Sequence, residues 1–189
     1  MPAVESTMLE LGTEAPDFRL RSTDGTPVAR DDFADAPALL VVFLCNHCPF
    51  VQHIAPQLAS FAREFEPRGL AVVGINCNDA DRYPDDGFEA MVVEKARVGY
   101  PFPYLHDPEQ TVALAYAAAC TPDFFLFDDE RRLVYRGRFD GSRPGGREAP
   151  SGDDLREAVT ALLTGNEIPA EQIPSIGCSI KWKPGNAPT

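Results

Sequence analysis

The sequence lacks the features that mark several classes of protein. No cluster of lysine and arginine is present and the formal net charge is −12. We therefore expect no nucleic-acid partner and no binding to an anionic membrane, because both need concentrated positive charge. The N-terminal segment MPAVESTMLELGTEAPDF has no basic start and no apolar run long enough for a signal peptide or a transmembrane helix. These absences favour a cytoplasmic protein without membrane or nucleic-acid partners.

The remaining composition is that of a globular domain. Hydrophobic residues make up 44% and charged residues 24% of the 189 residues, which permits a core of ordinary size. The five cysteines are an odd number, so they cannot all pair within one chain. In a compartment that keeps thiols reduced, a Cys-x-x-Cys pair is interpreted as catalytic or metal-binding rather than as a structural disulfide.

Strands and helices are predicted to alternate along the chain. The apolar runs at 38–44 and 69–76 are typical of strands buried on both faces, and Asp24-Gly25 indicates a hairpin within 16–29. The other predicted elements are helices at 49–65, 87–97, 109–119 and 151–164, and strands at 103–105, 123–128 and 132–139. This order predicts an α/β fold of three layers, with a mixed central sheet and an N-terminal hairpin. We expect one domain at 1–164 and a proline-rich tail at 165–189 packed on it.

The chemistry is predicted to lie in the motif Cys45-Asn46-His47-Cys48, between a buried strand and a helix that begins near Pro49. A helix start has unsatisfied N–H groups and a positive partial charge, which lower the pKa of a thiol and favour the reactive thiolate. Two cysteines at this spacing can meet around the first turn, so that one attacks a disulfide and the other resolves the mixed disulfide. A protonated His47 would stabilise the thiolate and make the couple more oxidising; alternatively, it only helps to cap the helix.

A zinc site is the competing interpretation of the two cysteines. Structural zinc needs four ligands, and the sequence holds a single Cys-x-x-Cys with no partner pair. His47 and His53 lack the spacing that would complete such a site. We therefore expect neither a metal nor another cofactor.

Several segments resemble the thioredoxin superfamily, and more narrowly its redoxin branch, which includes the AhpC/TSA proteins. VVFLCNHCPFV resembles the strand–active-site–helix junction, and CTPDFFLFD resembles the cis-proline segment. GTEAPDF and the N-terminal hairpin are also similar to redoxins, so that the resemblance covers roughly residues 12–163. The tail GCSIKWKPGN is similar to that of a peroxiredoxin-like subgroup with the same CNHC motif.

The resemblance implies a cis peptide bond between Thr121 and Pro122, before a strand that lies beside the cysteines. A cis X-Pro bond costs only about 0.5–1 kcal/mol. Proline also removes a backbone donor, which would leave the preceding backbone free to pair with a substrate. Thr121, Pro122 and Asn46 are therefore the expected substrate-binding residues. A trans proline that opens a strand is the alternative.

The motif departs from both patterns that it resembles. Thioredoxin has Trp before the first cysteine and Gly-Pro between the pair, and its buried acid has no counterpart in ALLVVFL. The peroxiredoxin signature has Thr or Ser three positions before the peroxidatic cysteine. If Cys48 is peroxidatic, Cys45 stands at that position. Arg136 and Arg138 are the candidates for the peroxiredoxin arginine.

The three cysteines outside the motif are open to two interpretations each. Cys178 lies in the tail and could resolve an oxidised Cys45 or Cys48, or it is incidental to the packing of the tail. Cys120 precedes the Thr-Pro segment and is interpreted mainly as a small buried residue rather than a redox thiol. Cys77 ends a buried strand and is interpreted as packing.

These observations predict a thiol–disulfide oxidoreductase. Cys45 is the expected exposed nucleophile, Cys48 the resolving thiol and His47 the residue that tunes thiolate stability. The partners are a protein or small-molecule disulfide and a thiol electron donor, and the oligomeric state stays open. The alternatives are a peroxiredoxin-like peroxidase that reduces hydroperoxides, and a non-catalytic redox-sensing or binding module.

Overall fold

A computed structural model describes residues 3–188 of the chain. The strands are β1 (Ala3–Glu5), β2 (Arg19–Ser22), β3 (Pro27–Ala29), β4 (Ala38–Phe43), β5 (Leu70–Asn76), β6 (Tyr104–His106), β7 (Cys120–Thr121), β8 (Asp123–Phe127), β9 (Leu133–Tyr135) and β10 (Ile176–Ser179). The α-helices are α1 (Pro49–Phe65), α2 (Phe88–Val98), α3 (Thr111–Ala115) and α4 (Asp153–Leu163). Short 3₁₀ helices occur at Arg30–Phe33, Glu66–Arg68 and Pro84–Asp86.

The core of the fold is a seven-stranded mixed sheet with the order β3-β2-β6-β5-β4-β8-β9. Strand β4 runs parallel to β5, and β5 runs parallel to β6. Strand β8 is antiparallel to both β4 and β9, and β2 and β3 form the predicted hairpin. The predicted α/β class with a mixed central sheet is confirmed.

Helices cover both faces of this sheet. Because side chains alternate along a strand, Leu40 and Val42 of β4 join a cluster that includes α1, α2 and α4. Leu39 and Val41 face the opposite cluster, which includes α3. Every residue of β4 is buried, as the unbroken apolar run predicts for a strand between two layers. The predicted three-layer arrangement is therefore present.

A second, three-stranded sheet with the order β1-β10-β7 was not predicted. The tail expected to be irregular contains strand β10, which pairs with β1 on one side and with β7 on the other, both antiparallel. The predicted helix at 109–119 is also shorter than expected, because α3 ends at Ala115 and Ala117 adopts a left-handed φ of 49°. Among the described residues, no helix has the length and apolar character needed to cross a membrane.

Candidate active site

The two cysteines of the motif lie at the junction between β4 and α1, as predicted. Cys45 follows the end of β4, Cys48 is the N-cap of α1, and Pro49 occupies the first turn. Proline suits this position because its missing N–H would have no partner there and its φ is already helical. The start of α1 therefore presents free backbone N–H groups beside the sulfur of Cys48.

Both sulfurs are buried, which corrects the expectation of an exposed Cys45. Cys45 is 2% exposed and Cys48 0% exposed. Thr121 covers them from β7: Cys45 Sγ lies 3.1 Å from Thr121 Oγ1, and Cys48 Sγ lies 3.1 Å from the Thr121 carbonyl oxygen. The two sulfurs are shielded from solvent because β7, which is paired with β10, lies against the start of α1.

The pKa values of the two thiols move in opposite directions. The hydrogen bond to Cys48 contributes most to raising the pKa of Cys45 well above the usual thiol range, followed by burial and the negative charge of Asp86. The same hydrogen bond contributes most to lowering the pKa of Cys48 to about 5. Burial opposes this lowering of the Cys48 pKa, and the interaction with Cys178 adds to it. The pKa shifts therefore make Cys48 the more acidic thiol of the pair, and while it is protonated its S–H donates to the Thr121 carbonyl oxygen.

The peptide bond between Thr121 and Pro122 is cis, as the resemblance implied. The backbone edge that was expected to be free for a substrate is occupied. Thr121 is paired with Cys178 of β10, and Cys120 with Ser179. The expected substrate groove is thus filled by the chain's own C-terminal strand in this structure.

Asn46 forms hydrogen bonds with neighbouring segments through both its backbone and its side chain. Its backbone N–H donates to Asp86 Oδ1 at 2.7 Å, and its side-chain amide donates to the carbonyl oxygen of Asp85 at 2.8 Å. Its side-chain oxygen accepts from the Tyr104 hydroxyl at 3.0 Å. These bonds hold the loop between the cysteines in place, and the predicted substrate contact of Asn46 stays a prediction.

His47 points toward a buried carboxylate. Its Nδ1 lies 2.7 Å from Asp86 Oδ2, and its ring stacks against Tyr83 with 5.8 Å between centroids. A ring nitrogen of His47, the sulfur of Cys45 and a carboxylate oxygen of Asp86 all lie within 4.8 Å of one another. His47 therefore stands between the Cys45 thiol and a negative charge, where it can hold or pass a proton.

Asp86 is the site residue that the sequence did not reveal. Its side chain is 0% exposed, and its Oδ2 also accepts from Asn78 Nδ2 at 2.8 Å. It belongs to the Pro84–Asp86 helix that follows β5, whereas Cys45 follows β4. Because the carboxyl ends of adjacent parallel strands meet at one edge of a sheet, polar residues shortly after β5 were the available signal.

Cys45, His47 and Asp86 also form the one group among residues 3–188 whose donor atoms are close enough to hold a metal ion. Both oxygens of Asp86 already accept hydrogen bonds, from Asn46 and Asn78. The carboxylate is therefore satisfied by the protein itself, and its position has an explanation without a metal.

The other three cysteines are buried free thiols. Burial, followed by its hydrogen bond to Cys48, raises the pKa of Cys178 to about 12. Burial raises the pKa of Cys120 and that of Cys77 far above the usual thiol range. Of the three, Cys178 belongs to the same buried cluster as Cys45 and Cys48. Arg136 is bonded to Leu9 and Gln172. Arg138 is bonded to Asp154 and also lines a small cavity with Pro122 and Phe50, next to the start of α1.

Comparison of the sequence with known proteins finds a matching family. The model of the AhpC/TSA family matches residues 11–136. The 1-Cys peroxiredoxin B of Oryza sativa subsp. indica is 31% identical over 104 residues, which are 54% of this chain and 46% of that protein. The chain spans about half the length of the curated relatives it matches.

Solved structures agree on the fold. A hypothetical protein of Sinorhizobium meliloti 1021 is 51% identical, with a TM-score of 0.94 over 96% of this chain and 99% of that chain. The thioredoxin domain of a thiol-disulfide oxidoreductase from Bacteroides vulgatus is 18% identical, with a TM-score of 0.62 over 80% of this chain and 99% of that domain. The similarity to the Bacteroides vulgatus domain, at 18% identity, supports a shared fold only.

Proposed function

The chain belongs to the AhpC/TSA family, and from this premise we propose that it is a thiol–disulfide oxidoreductase whose reversible dithiol/disulfide pair is Cys45 and Cys48. One observation carries the proposal. The sulfurs of Cys45 and Cys48 lie in one buried cluster at the start of α1, each 3.1 Å from an atom of Thr121, and the interaction with Cys45 lowers the pKa of Cys48 to about 5. A thiolate in contact with a second thiol is the arrangement that disulfide exchange needs.

The proposed reaction reverses the roles expected for the two cysteines. The Cys48 thiolate attacks one sulfur of a disulfide, and the other sulfur leaves as a thiolate. Cys45, after losing its proton to His47 or water, attacks Cys48 in the mixed disulfide and releases the reduced substrate. This leaves a Cys45–Cys48 disulfide, which an external thiol donor reduces again. His47 is the positioned proton acceptor, and Asp86 holds its ring.

Disulfide mapping and turnover test this function. After oxidation by glutathione disulfide, mass spectrometry is expected to find Cys45 joined to Cys48, and the reduced protein is expected to reduce insulin or glutathione disulfide catalytically. Cys48→Ser should abolish turnover, whereas Cys77→Ala, at a buried thiol with no contact to the pair, should retain it. Absence of the Cys45–Cys48 bond in oxidised wild type would overturn the proposal.

A second function is favoured by the burial of Cys48. A large disulfide cannot reach a sulfur that is 0% exposed without opening of the cover, whereas a hydroperoxide is small. In that reaction the Cys48 thiolate takes one oxygen to become a sulfenic acid and an alcohol or water leaves. Cys45 then attacks the sulfenic sulfur and water leaves. Arg136 is bonded to Leu9 and Gln172, whereas Arg138, bonded to Asp154, lines a cavity beside Pro122 and is the arginine nearer to the site. Peroxide consumption with a thiol donor separates this function from disulfide exchange.

The third proposal is a non-catalytic redox-sensing module, in which the pair oxidises without turnover. In all three cases the partners are a disulfide or peroxide and a thiol donor, and Thr121 and Pro122 line the approach to the sulfurs. Five free cysteines suit a reducing compartment such as the cytoplasm.

A further inference from the structure

Strand β10 lies where a bound substrate strand is expected, against the edge of β7 and over the cysteines. We propose that β10 is an internal substrate of the site and that Cys178 is a third redox-active cysteine, which forms a disulfide with Cys48. The inference rests on the proposed function and names the substrate class: an extended peptide strand with a Gly-Cys pair, antiparallel to Cys120-Thr121.

The backbone places Cys178 beside the active-site sulfur. In the pairing of β10 with β7, Cys178 is directly opposite Thr121. The Thr121 carbonyl oxygen lies 3.1 Å from Cys48 Sγ. Addition of a strand to a free edge is a common mode of peptide recognition, in which backbone pairing fixes the register and side chains supply specificity. The register here brings a cysteine to the reactive sulfur.

Gly177 makes this close approach possible. A Cβ added at position 177 would lie 2.1 Å from the Thr121 carbonyl oxygen, a distance that real Cβ atoms do not reach. Backbone atoms cannot move away as a flexible side chain can, so a larger residue would push β10 off the edge of β7. The requirement for glycine next to Cys178 is therefore specific to the docked position of the strand.

Two thiols compete for the same partner. Cys45, Cys48 and Cys178 lie in the same buried cluster, and interactions with Cys45 and then with Cys178 lower the pKa of Cys48. Cys178 is 5% exposed and belongs to the same buried cluster as Cys48. Either thiol can therefore pair with Cys48 without a large change in the fold, and Cys48 is the sulfur shared by both disulfides.

The exchange needs no external oxidant once the Cys45–Cys48 disulfide exists. Cys178 loses its proton and its thiolate attacks the sulfur of Cys48. The Cys48–Cys178 bond forms, the Cys45–Cys48 bond breaks, and Cys45 leaves as a thiolate that takes up a proton. The number of disulfides is unchanged. In the product, the Cys48–Cys178 disulfide links β10 covalently over the site, and Cys45 is a free thiol. A peptide substrate must therefore displace the strand before it can react.

The first test removes the competing thiol. Cys45→Ser is oxidised with glutathione disulfide, which is reduced to two glutathione molecules as two protein thiols join. Mass spectrometry is expected to find Cys48 joined to Cys178, and to find the same bond in Cys45→Ser/Cys120→Ala but not in Cys45→Ser/Cys178→Ser. If Cys48 ends instead as a mixed disulfide with glutathione, or is joined to Cys120, the inference is overturned.

The second test opens the strand without changing a sulfur. Gly177→Ala should raise the rate at which a bulky maleimide modifies Cys48 by roughly tenfold, because docking of β10 is weakened. The matched control is Gly141→Ala, where an added Cβ meets nothing nearer than 3.5 Å and the rate should stay unchanged. Equal rates in wild type and Gly177→Ala would show that β10 does not cover the site.

The two proposals fail in different ways. Loss of the proposed function is seen in the wild type, as absence of the Cys45–Cys48 disulfide or of turnover. Failure of the present inference is seen in Cys45→Ser, as absence of the Cys48–Cys178 disulfide while the wild type still turns over. Cooperative unfolding of each reduced variant checks that the chain has folded.

Discussion

Hydrogen bonding, more than burial, separates the two cysteines of the motif. Both are buried, and burial by itself raises the pKa of any thiol. Interactions with Cys45 and then with Cys178 lower the pKa of Cys48, whereas the interaction with Cys48, followed by burial and the charge of Asp86, raises the pKa of Cys45. The residue at the helix start therefore becomes the anion, in keeping with the field of the helix.

We expect the ultraviolet absorbance of the reduced protein to show a thiolate that appears with a midpoint near pH 5. Cys45→Ala should move this midpoint upward, because the hydrogen bond from Cys45 is the largest stabilising contribution. Cys48→Ala should remove the transition, and Cys77→Ala should leave it unchanged. A midpoint in the ordinary thiol range in wild type would contradict the assignment of Cys48 as the anion.

Asp86 links the loop between Cys45 and Cys48 to the segment after β5 through hydrogen bonds with Asn46 and Asn78. Asp86→Asn keeps the shape of the side chain but replaces one acceptor oxygen by a donor that faces Asn78 or His47. We expect a loss of about 1–3 kcal/mol in the free energy of unfolding, measured by denaturant titration. We also expect a lower pKa for Cys45, because a nearby negative charge is removed.

The neighbour Asp85 offers the control for this change. Its side chain is exposed, and its contact with Asn46 uses the backbone carbonyl. Asp85→Asn should therefore change neither the free energy of unfolding nor the reactivity of Cys45. A similar loss of stability in both variants would argue against a special role for Asp86.

Among the secondary-structure elements, helix α4 has its start held by residues that lie outside the helix. The segment Ser151-Gly152-Asp153-Asp154 has the composition of a helix start, yet Gly152 provides no side-chain cap. Residues outside the helix hold its start: Asp140 Oδ2 accepts the backbone N–H groups of Ser151 and Gly152 at 2.8 and 2.7 Å, and the Phe139 carbonyl oxygen accepts that of Leu155 in the first turn. The helix is thereby fixed to the segment that follows β9.

Asp140→Asn is expected to lower the free energy of unfolding by about 1–3 kcal/mol near neutral pH. Burial opposes ionisation of Asp140, but hydrogen bonds from Ser142, Gly152 and Ser151 outweigh it and lower its pKa. A lowered carboxyl pKa gives stability that is present above the usual aspartate pKa and lost as pH falls through the folded-state value. The difference between wild type and variant should therefore shrink in acid.

Denaturant titrations over this acidic range measure the effect. Asp153→Asn is the control, because Asp153 is exposed in the first turn of α4 and contributes only a few tenths of a kcal/mol through the helix dipole. A pH-independent difference for Asp140→Asn would show that its hydrogen bonds do not depend on the charge.

At the scale of the whole molecule, the two sheets meet at Asp123. This residue opens β8, pairs with Phe43 of β4 in the large sheet, and follows the Thr121-Pro122 bond at the end of β7. Burial raises the pKa of its carboxyl to about 7, in spite of backbone hydrogen bonds such as that from Ala119. The folded protein therefore keeps a proton there that the unfolded chain has released.

A raised carboxyl pKa reduces stability as pH rises from the unfolded value to the folded one. Asp123→Asn should gain stability relative to wild type between about pH 4 and about pH 7, by an amount on the order of 2–4 kcal/mol, and no further above that range. Chemical unfolding of both proteins across this range measures the difference. The exposed Asp129→Asn should parallel wild type, and a constant offset for Asp123→Asn would refute the shift.

The local parts of the fold were predictable because they depend on neighbours in the chain. The apolar run at 38–44 became β4, and the segment that begins at Pro49 became α1. The elements at the ends, β1 and β10, were missed, because each is a short strand that exists only through its pairing with a distant partner. Helix α3 was predicted to be too long, because no local sequence pattern predicts the left-handed backbone conformation of Ala117.

The meeting of two cysteines at the start of a helix follows from local sequence alone, namely from their spacing, the preceding apolar run and Pro49. Which of the two thiols is the more acidic depends on the tertiary fold, because Cys178, Thr121 and Asp86 reach the pair from remote segments. The tertiary fold also decided that the groove is filled. Hydrogen bonds and charges act over distances in space, and separation along the chain does not reveal which side chains come within reach.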